Sequence, residues 1–207
     1  MNNVFIAIDG INGSGKTTIA KCLEQNFGFQ YYDPSTCFTD LRKDFFKKPV
    51  NIPGRFSFFL LTLIQASNDI RLMLEKGPVV CDGYTASLLA HHLPFAEGLD
   101  EVASGSSVYD KWNILKPSFN ILLQTDILSC SNRLRREISQ RRWKGANRLD
   151  YVISTPAGPV VDVGYFNQVF FRMVSLIAPL ELSLLDINNQ SVEQVATAIN
   201  DLISNKG

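Results

Sequence analysis

Residues 10–17 read GINGSGKT, preceded by the apolar run VFIAI at 4–8 and followed by a stretch of helical periodicity. They satisfy G-x-x-x-x-G-K-[ST] in the strand–loop–helix setting that gives this pattern its meaning. The glycines let backbone N–H groups close around phosphate oxygens, and the helix N-terminus adds a favourable dipole. Lys16 would reach the β- and γ-phosphates of ATP or GTP, and the Thr17 hydroxyl would ligate Mg2+. Gly10, Asn12, Gly13, Ser14, Gly15, Lys16 and Thr17 are thus predicted to cradle a nucleotide. A Gly-rich turn that merely caps a helix is the bland alternative, and it does not require the lysine and hydroxyl together.

A phosphate loop of this kind works with an acidic residue at the end of another strand. PVVCDGY at 78–84 supplies one. Ligands of α/β sheets gather at the carboxyl ends of strands, and Asp82 ends the apolar run VVC. It is predicted to hold Mg2+ directly or through water. An aspartate starting a turn would look the same locally.

Outward from these two segments, strand-length apolar runs alternate with helical stretches. Strands are expected at 4–8, 29–32, 79–81, 119–124 and 182–186. The run at 4–8 lacks polar alternation, as befits a strand covered on both faces. Helices are expected at 16–25, around 41–46, at 56–75, 85–92, within 100–112, and at 128–138, 163–178 and 192–203, with 49–54 as a break. This order predicts right-handed βαβ crossovers and one α/β domain over residues 1–207, a parallel five-stranded sheet sandwiched by helices.

Composition sets limits on partners. The 207 residues suffice for one substantial core. Twenty basic residues balance twenty acidic ones, so the overall charge gives no argument for a nucleic-acid polymer or a membrane. The most apolar window, FFLLTLI at 58–64, is far shorter than the roughly 20 residues of a membrane span. No export signal is read in MNNVFIAIDG, and the four cysteines (Cys22, Cys37, Cys81, Cys130) show no CxxC spacing. Buried free thiols in a reducing compartment are expected, hence a cytoplasmic location.

One charge cluster stands out. Arg133, Arg135, Arg136, Arg141, Arg142 and Arg148 crowd NRLRREISQRRWKGANR. A solvated helix face, a nucleic-acid patch and a lid closing over a phosphoryl group are the three readings. Neutral overall charge argues against the second. The planar fork of arginine suits the third, since it engages phosphate oxygens bidentately. Spacing does not say which arginine acts.

Taken together, these segments resemble thymidylate kinases (dTMP kinases) and the wider group of P-loop nucleoside and nucleotide kinases, over nearly the full length. FIAIDGINGSGKTT is similar to the family's opening strand and phosphate loop. YYDPST at 31–36 sits where the family has Arg-Glu-Pro-Gly-Gly-Thr, and Arg42 falls near its downstream arginine. GPVVCDGYTASLLAHH is similar to the Asp-Arg-Tyr/His segment. KPSFNILLQTD and NRLRRE resemble the strand before the lid and the lid's start, and LSLLDINNQSVEQVATAIND the last strand and helix. The resemblance implies a P-loop NTPase-type fold with an arginine-bearing lid at about 136–150. It implies ATP and Mg2+ as cofactors and transfer of the γ-phosphoryl group to a nucleoside monophosphate such as dTMP. It adds Thr18 to the phosphate site and makes Lys16, Asp82, Arg136, Arg141 and Arg142 the catalytic set. Asp9, Asp33, Arg42, Phe59, Tyr84 and His92 fall on the acceptor side, with His91 beside the last; Tyr84 reads equally as a core aromatic, and the two histidines equally as exposed helix positions. A homodimer packed through helices is also implied.

The departures lie in the acceptor half. The loop aspartate is Asn12, and the glycine pair after the proline is Ser35-Thr36. The long helix has Thr62, Gln65 and Asn68 where an arginine belongs, and the Asp-Arg pair reads Asp82-Gly83. Three readings stay open: a thymidylate-type kinase with rearranged acceptor contacts, a same-fold kinase for a nucleoside or other small hydroxyl compound, and a nucleotide-binding regulatory module.

Overall fold

A computed structural model describes residues 3–45, 50, 52–92, 106–139, 152–155 and 158–205. Five parallel strands form the main sheet: β1 (Phe5–Asp9), β2 (Gln30–Tyr32), β3 (Val79–Asp82), β4 (Phe119–Gln124) and β7 (Leu182–Asp186), in the order β2-β3-β1-β4-β7. The expected five-stranded parallel sheet is present. Because β1 is flanked by β3 on one side and β4 on the other, the chain reverses direction across the sheet at β1. Such a switch point leaves a crevice at the carboxyl ends of the strands.

Successive side chains of β1 enter opposite cores, as strand geometry dictates. Phe5 and Ala7 face a core built with α3 (Ile52–Leu74), α4 (Thr85–His92) and α7 (Val163–Ser175). Ile6 and Ile8 face a second core with α1 (Lys16–Phe27) and α9 (Val192–Ser204). All four are essentially inaccessible to solvent, each large one contributing about 1.5–3 kcal/mol of apolar burial. Helix α9 opens with a capping box, Ser191 and Gln194 satisfying each other's backbone N–H groups.

The remaining described elements are the short helices α2 (Thr39–Phe45), α5 (Ser106–Lys111) and α8 (Ile177–Leu180), the helix α6 (Ile127–Ser139), and a hairpin of β5 (Val152–Thr155) with β6 (Gly158–Val161). Two expectations need correction. The break at 49–54 gives way to helix from Ile52, because Pro53 lies in the first turn, where its missing N–H costs nothing. The helix expected at 163–178 ends at Ser175, and α8 follows separately. The antiparallel β5–β6 hairpin was not anticipated, since VIST and GPVV are too short to declare themselves. Of the lid segment, residues 136–139 close α6, and 140–150 lie outside the described residues.

Candidate active site

The phosphate loop leaves the end of β1 at the switch point. Gly13 has φ +81°, and a Cβ there would sit 2.8 Å from the Cys130 carbonyl oxygen of α6, so only glycine lets the loop approach this helix. Ser14 N–H donates to the Ile11 carbonyl at 3.1 Å. Lys16, the first residue of α1, donates from Nζ to the carbonyls of Gly10 (2.9 Å) and Ile11 (3.1 Å). Desolvation lowers the pKa of its ammonium, against the opposing pull of Asp82 and Asp9.

Asp82 closes β3 beside this loop. Its Oδ2 accepts from the Thr17 hydroxyl at 2.5 Å and from the Tyr31 hydroxyl at 3.2 Å. Strand β2 places Tyr31 there, paired with Val80 one residue from the strand end. Thr17 and Asp82 thus present two hard oxygens beside the loop. Among the described residues no cluster of three or more Asp, Glu, His or Cys could hold a metal alone. One carboxylate and one hydroxyl is a donor set that fits Mg2+, which is commonly bound through one or two carboxylates together with substrate phosphates.

Two cavities open from this point. The larger, about 740 Å3, runs along the phosphate loop between α6 and the start of α9, with Arg133, Glu137, Gln190 and Val192 in its walls. Arg133 donates to the Gly13 carbonyl at 2.8 Å. The smaller, about 300 Å3, lies between α3 and α4. Asn12, Lys16, Asp33, Ser35, Arg42 and Asp82 border both, so the cavities meet at the loop lysine and the strand-end aspartate.

The acceptor-side candidates are dispersed more unevenly. Asp33 caps a 3-10 turn, Pro34–Thr36, accepting from the Ser35 N–H at 2.8 Å. Arg42 donates to the Ser35 carbonyl at 3.3 Å and stands 5.6 Å over the Phe59 ring, within cation–π range. Both it and Phe59 line the smaller cavity.

Asp9 turns into the core. Its carboxylate is fully buried and borders neither cavity. Oδ1 accepts from the N–H groups of Tyr84 and Ser87 (both 2.9 Å) and from the Ser87 hydroxyl, which ties the start of α4 to β1. Burial raises its pKa, and those hydrogen bonds only partly counter the rise. Tyr84 borders the smaller cavity but is a core residue. It is 2% exposed, packs edge-on against Phe5 at 5.1 Å, and spends its hydroxyl on the Leu115 carbonyl.

His91 lines the smaller cavity and its Nδ1 lies 3.0 Å from the Tyr165 hydroxyl. His92 ends α4, and its side chain lies outside the described residues. Arg136 is exposed on α6 and borders neither cavity, whereas Arg133, one turn earlier, does. Arg141 and Arg142 lie outside the described residues. Gly10 underlies the loop through its carbonyl, while Asn12, Gly13, Ser14, Gly15, Thr17 and Thr18 all line the larger cavity.

No protein-family profile matches the chain. It is similar to a probable thymidylate kinase from Methanocaldococcus jannaschii, 24% identical over 99% of this chain and 98% of that one. A probable thymidylate kinase from Thermoplasma volcanium is 30% identical over 60% of this chain and 67% of its own length. The chain belongs to the thymidylate kinase family. A thymidylate kinase structure from Candida albicans shares the fold, with a TM-score of 0.68 over 99% of this chain and 92% of that one at 17% identity.

Within this thymidylate kinase family member, Arg55 and Tyr165 are among the cavity residues that escaped sequence reasoning. Arg55 sits in the first turn of α3 and lines the smaller cavity. Its signal was the spacing of 55, 59, 62 and 63, one helical face shared with Phe59, Thr62 and Leu63. Tyr165 arrives from α7, about 80 residues along the chain from Asp82 as the numbering shows, and no local pattern announces it.

Proposed function

We propose that this chain is an ATP-dependent nucleoside monophosphate kinase that transfers the γ-phosphoryl group of ATP to dTMP or a close relative. The meeting of the two cavities at Lys16 and Asp82 carries this reading. A donor in the larger cavity and an acceptor in the smaller one would bring their phosphates together there, which is the positioning that phosphoryl transfer chiefly requires.

The loop N–H groups and Lys16 would hold the donor's β- and γ-phosphates, with charge spreading onto the transferred group met by Lys16. Arg133, tied to the loop at Gly13, borders the donor cavity, and Arg136, Arg141 and Arg142 remain lid candidates. Thr17 and Asp82 would hold Mg2+, whose contribution when bound is to neutralise phosphate charge. Asp33 and Arg42 would meet the acceptor's phosphate side, and Phe59 offers an aromatic face to its base.

A homodimer packed through helices is part of the same proposal. Leu61 (44% exposed) and Leu72 (63% exposed) lie on one face of α3 and supply apolar surface for it. A cytoplasmic location accords with the free thiols of Cys22, Cys37, Cys81 and Cys130. Among the described residues no helix is long and apolar enough to cross a membrane.

Gly83 favours a second reading, an acceptor without a phosphate, since it places no cation at that point of the cavity. ATP consumption against a panel of nucleoside monophosphates, thymidine and small alcohols separates the two. Turnover with dTMP is expected. Turnover confined to unphosphorylated acceptors would establish the second reading, and ATP binding without any turnover would refute both.

A further inference from the structure

The smaller cavity is bordered by three basic side chains, Lys16, Arg42 and Arg55, and by two carboxylates, Asp33 and Asp82. Lys16 and Arg42 border the donor cavity as well. Arg55 borders the acceptor cavity alone. It stands on the face of α3 that also carries Phe59, Thr62 and Leu63 into the cavity, at spacings of four, seven and eight residues. Thr62 and Leu63 are buried there at 6% and 3% exposure, which holds the register of this face. Gly83, in the same cavity, has φ +81°, a backbone conformation that disfavours any side chain at that position.

We propose that Arg55, with Arg42, grips the phosphate of the acceptor and selects a phosphorylated acceptor over a free nucleoside. This inference rests on the kinase reading above. A monophosphate dianion entering between Asp33 and Asp82 needs more positive charge than Lys16, which is shared with the donor, can give. Arg42 reaches the site from α2 and Arg55 from α3, so the two guanidinium groups approach from different elements. Their planar forks match phosphate oxygens, and charge-assisted pairs of this kind are the strong ones. The charge that a side chain at 83 would have delivered from β3 is delivered from the first turn of α3 instead.

The test is steady-state kinetics and calorimetric titration of wild type, Arg55→Gln and Arg55→Lys with dTMP, thymidine and ATP. Arg55→Gln is expected to raise KM and Kd for dTMP about 10- to 100-fold, the loss of a hydrogen bond to a charged group. Arg55→Lys, keeping the charge but not the fork, is expected to fall between. KM for ATP should stay within about twofold, which also reports an intact fold. The preference for dTMP over thymidine should shrink by the same factor as dTMP affinity. Unchanged dTMP affinity in Arg55→Gln, with wild-type turnover present, overturns the inference and leaves the kinase reading standing. Wild type that binds dTMP and ATP without turnover overturns the kinase reading, while the effect of Arg55→Gln on dTMP affinity still decides the role of Arg55.

Discussion

The Thr17 hydroxyl donates to the Asp82 carboxylate across 2.5 Å, joining the first turn of α1 to the end of β3. Sixty-five positions separate the two residues in the chain, yet they form one oxygen pair beside Lys16. Removal of Mg2+ with EDTA is therefore expected to abolish turnover. Asp82→Asn should raise the Mg2+ concentration for half-maximal rate by about 10- to 100-fold, as loss of a carboxylate that orients a bound metal does. A Mg2+ titration of initial rates in both proteins checks this.

Lys16→Met should lower kcat on the order of 10²–10³-fold, the usual cost of removing one preorganised electrostatic stabiliser. The same variant should unfold at a temperature no lower than wild type. The pKa of Lys16 is depressed in the folded chain, so its stabilising contribution exists above 10.5 and is lost as pH falls through the folded value. Below 10.5 the buried amine is a net cost to folding, and the thioether removes it. Thermal unfolding beside single-turnover kinetics reads both effects.

Proton linkage provides an independent check on the lysine. Nucleotide phosphates favour the ammonium form, so the pKa of Lys16 should rise on binding from its depressed value. Between the free and bound values, binding takes up a proton and affinity falls as pH rises. Calorimetry of ATP in buffers of different ionisation enthalpy should show proton uptake in the pH window between those two values. Lys16→Met should lack it.

Arg133→Ala is expected to lower kcat/KM for ATP about tenfold, the low end for a charged hydrogen bond because the side chain is exposed. Arg136→Ala should lose less, since Arg136 borders neither cavity. Kinetics of the two variants side by side decides which arginine of α6 belongs to the site. The reverse order would move the catalytic role back to Arg136.

Gly83→Ala should destabilise the fold by about 1–2 kcal/mol, the cost of a side chain in the left-handed region. Space is not the obstacle, because the nearest atom to an added Cβ is Ser87 Oγ at 3.6 Å. Urea denaturation measures the loss. A neutral substitution would mean that the backbone relaxes to negative φ at little cost.

Much of the site was legible because its chemistry is local. The phosphate loop needs its glycines, lysine and hydroxyl within eight consecutive residues, and Asp82 announces itself as a carboxylate ending an apolar strand. Asp9 and Tyr84 come to the acceptor side through the family resemblance and not through local chemistry. Burial turned both inward: Asp9 holds the start of α4, and Tyr84 holds the core through Phe5 and Leu115. Arg136 and Arg133 are alike in sequence, and only the seating of α6 against Gly13 separates them.

By itself the sequence determined the phosphate loop, the strand–helix alternation and the parallel sheet. These follow from residue chemistry and periodicity over a few positions, which the surroundings do not override. Only the tertiary structure decided how the smaller cavity is charged. Arg42, Arg55, His91 and Tyr165 come from four helices and meet because those helices pack beside one crevice. Gly83 reads in sequence as a missing cation, whereas in the fold Arg55 stands in the same cavity. Distance along the chain says nothing about that meeting, since long-range packing sets it.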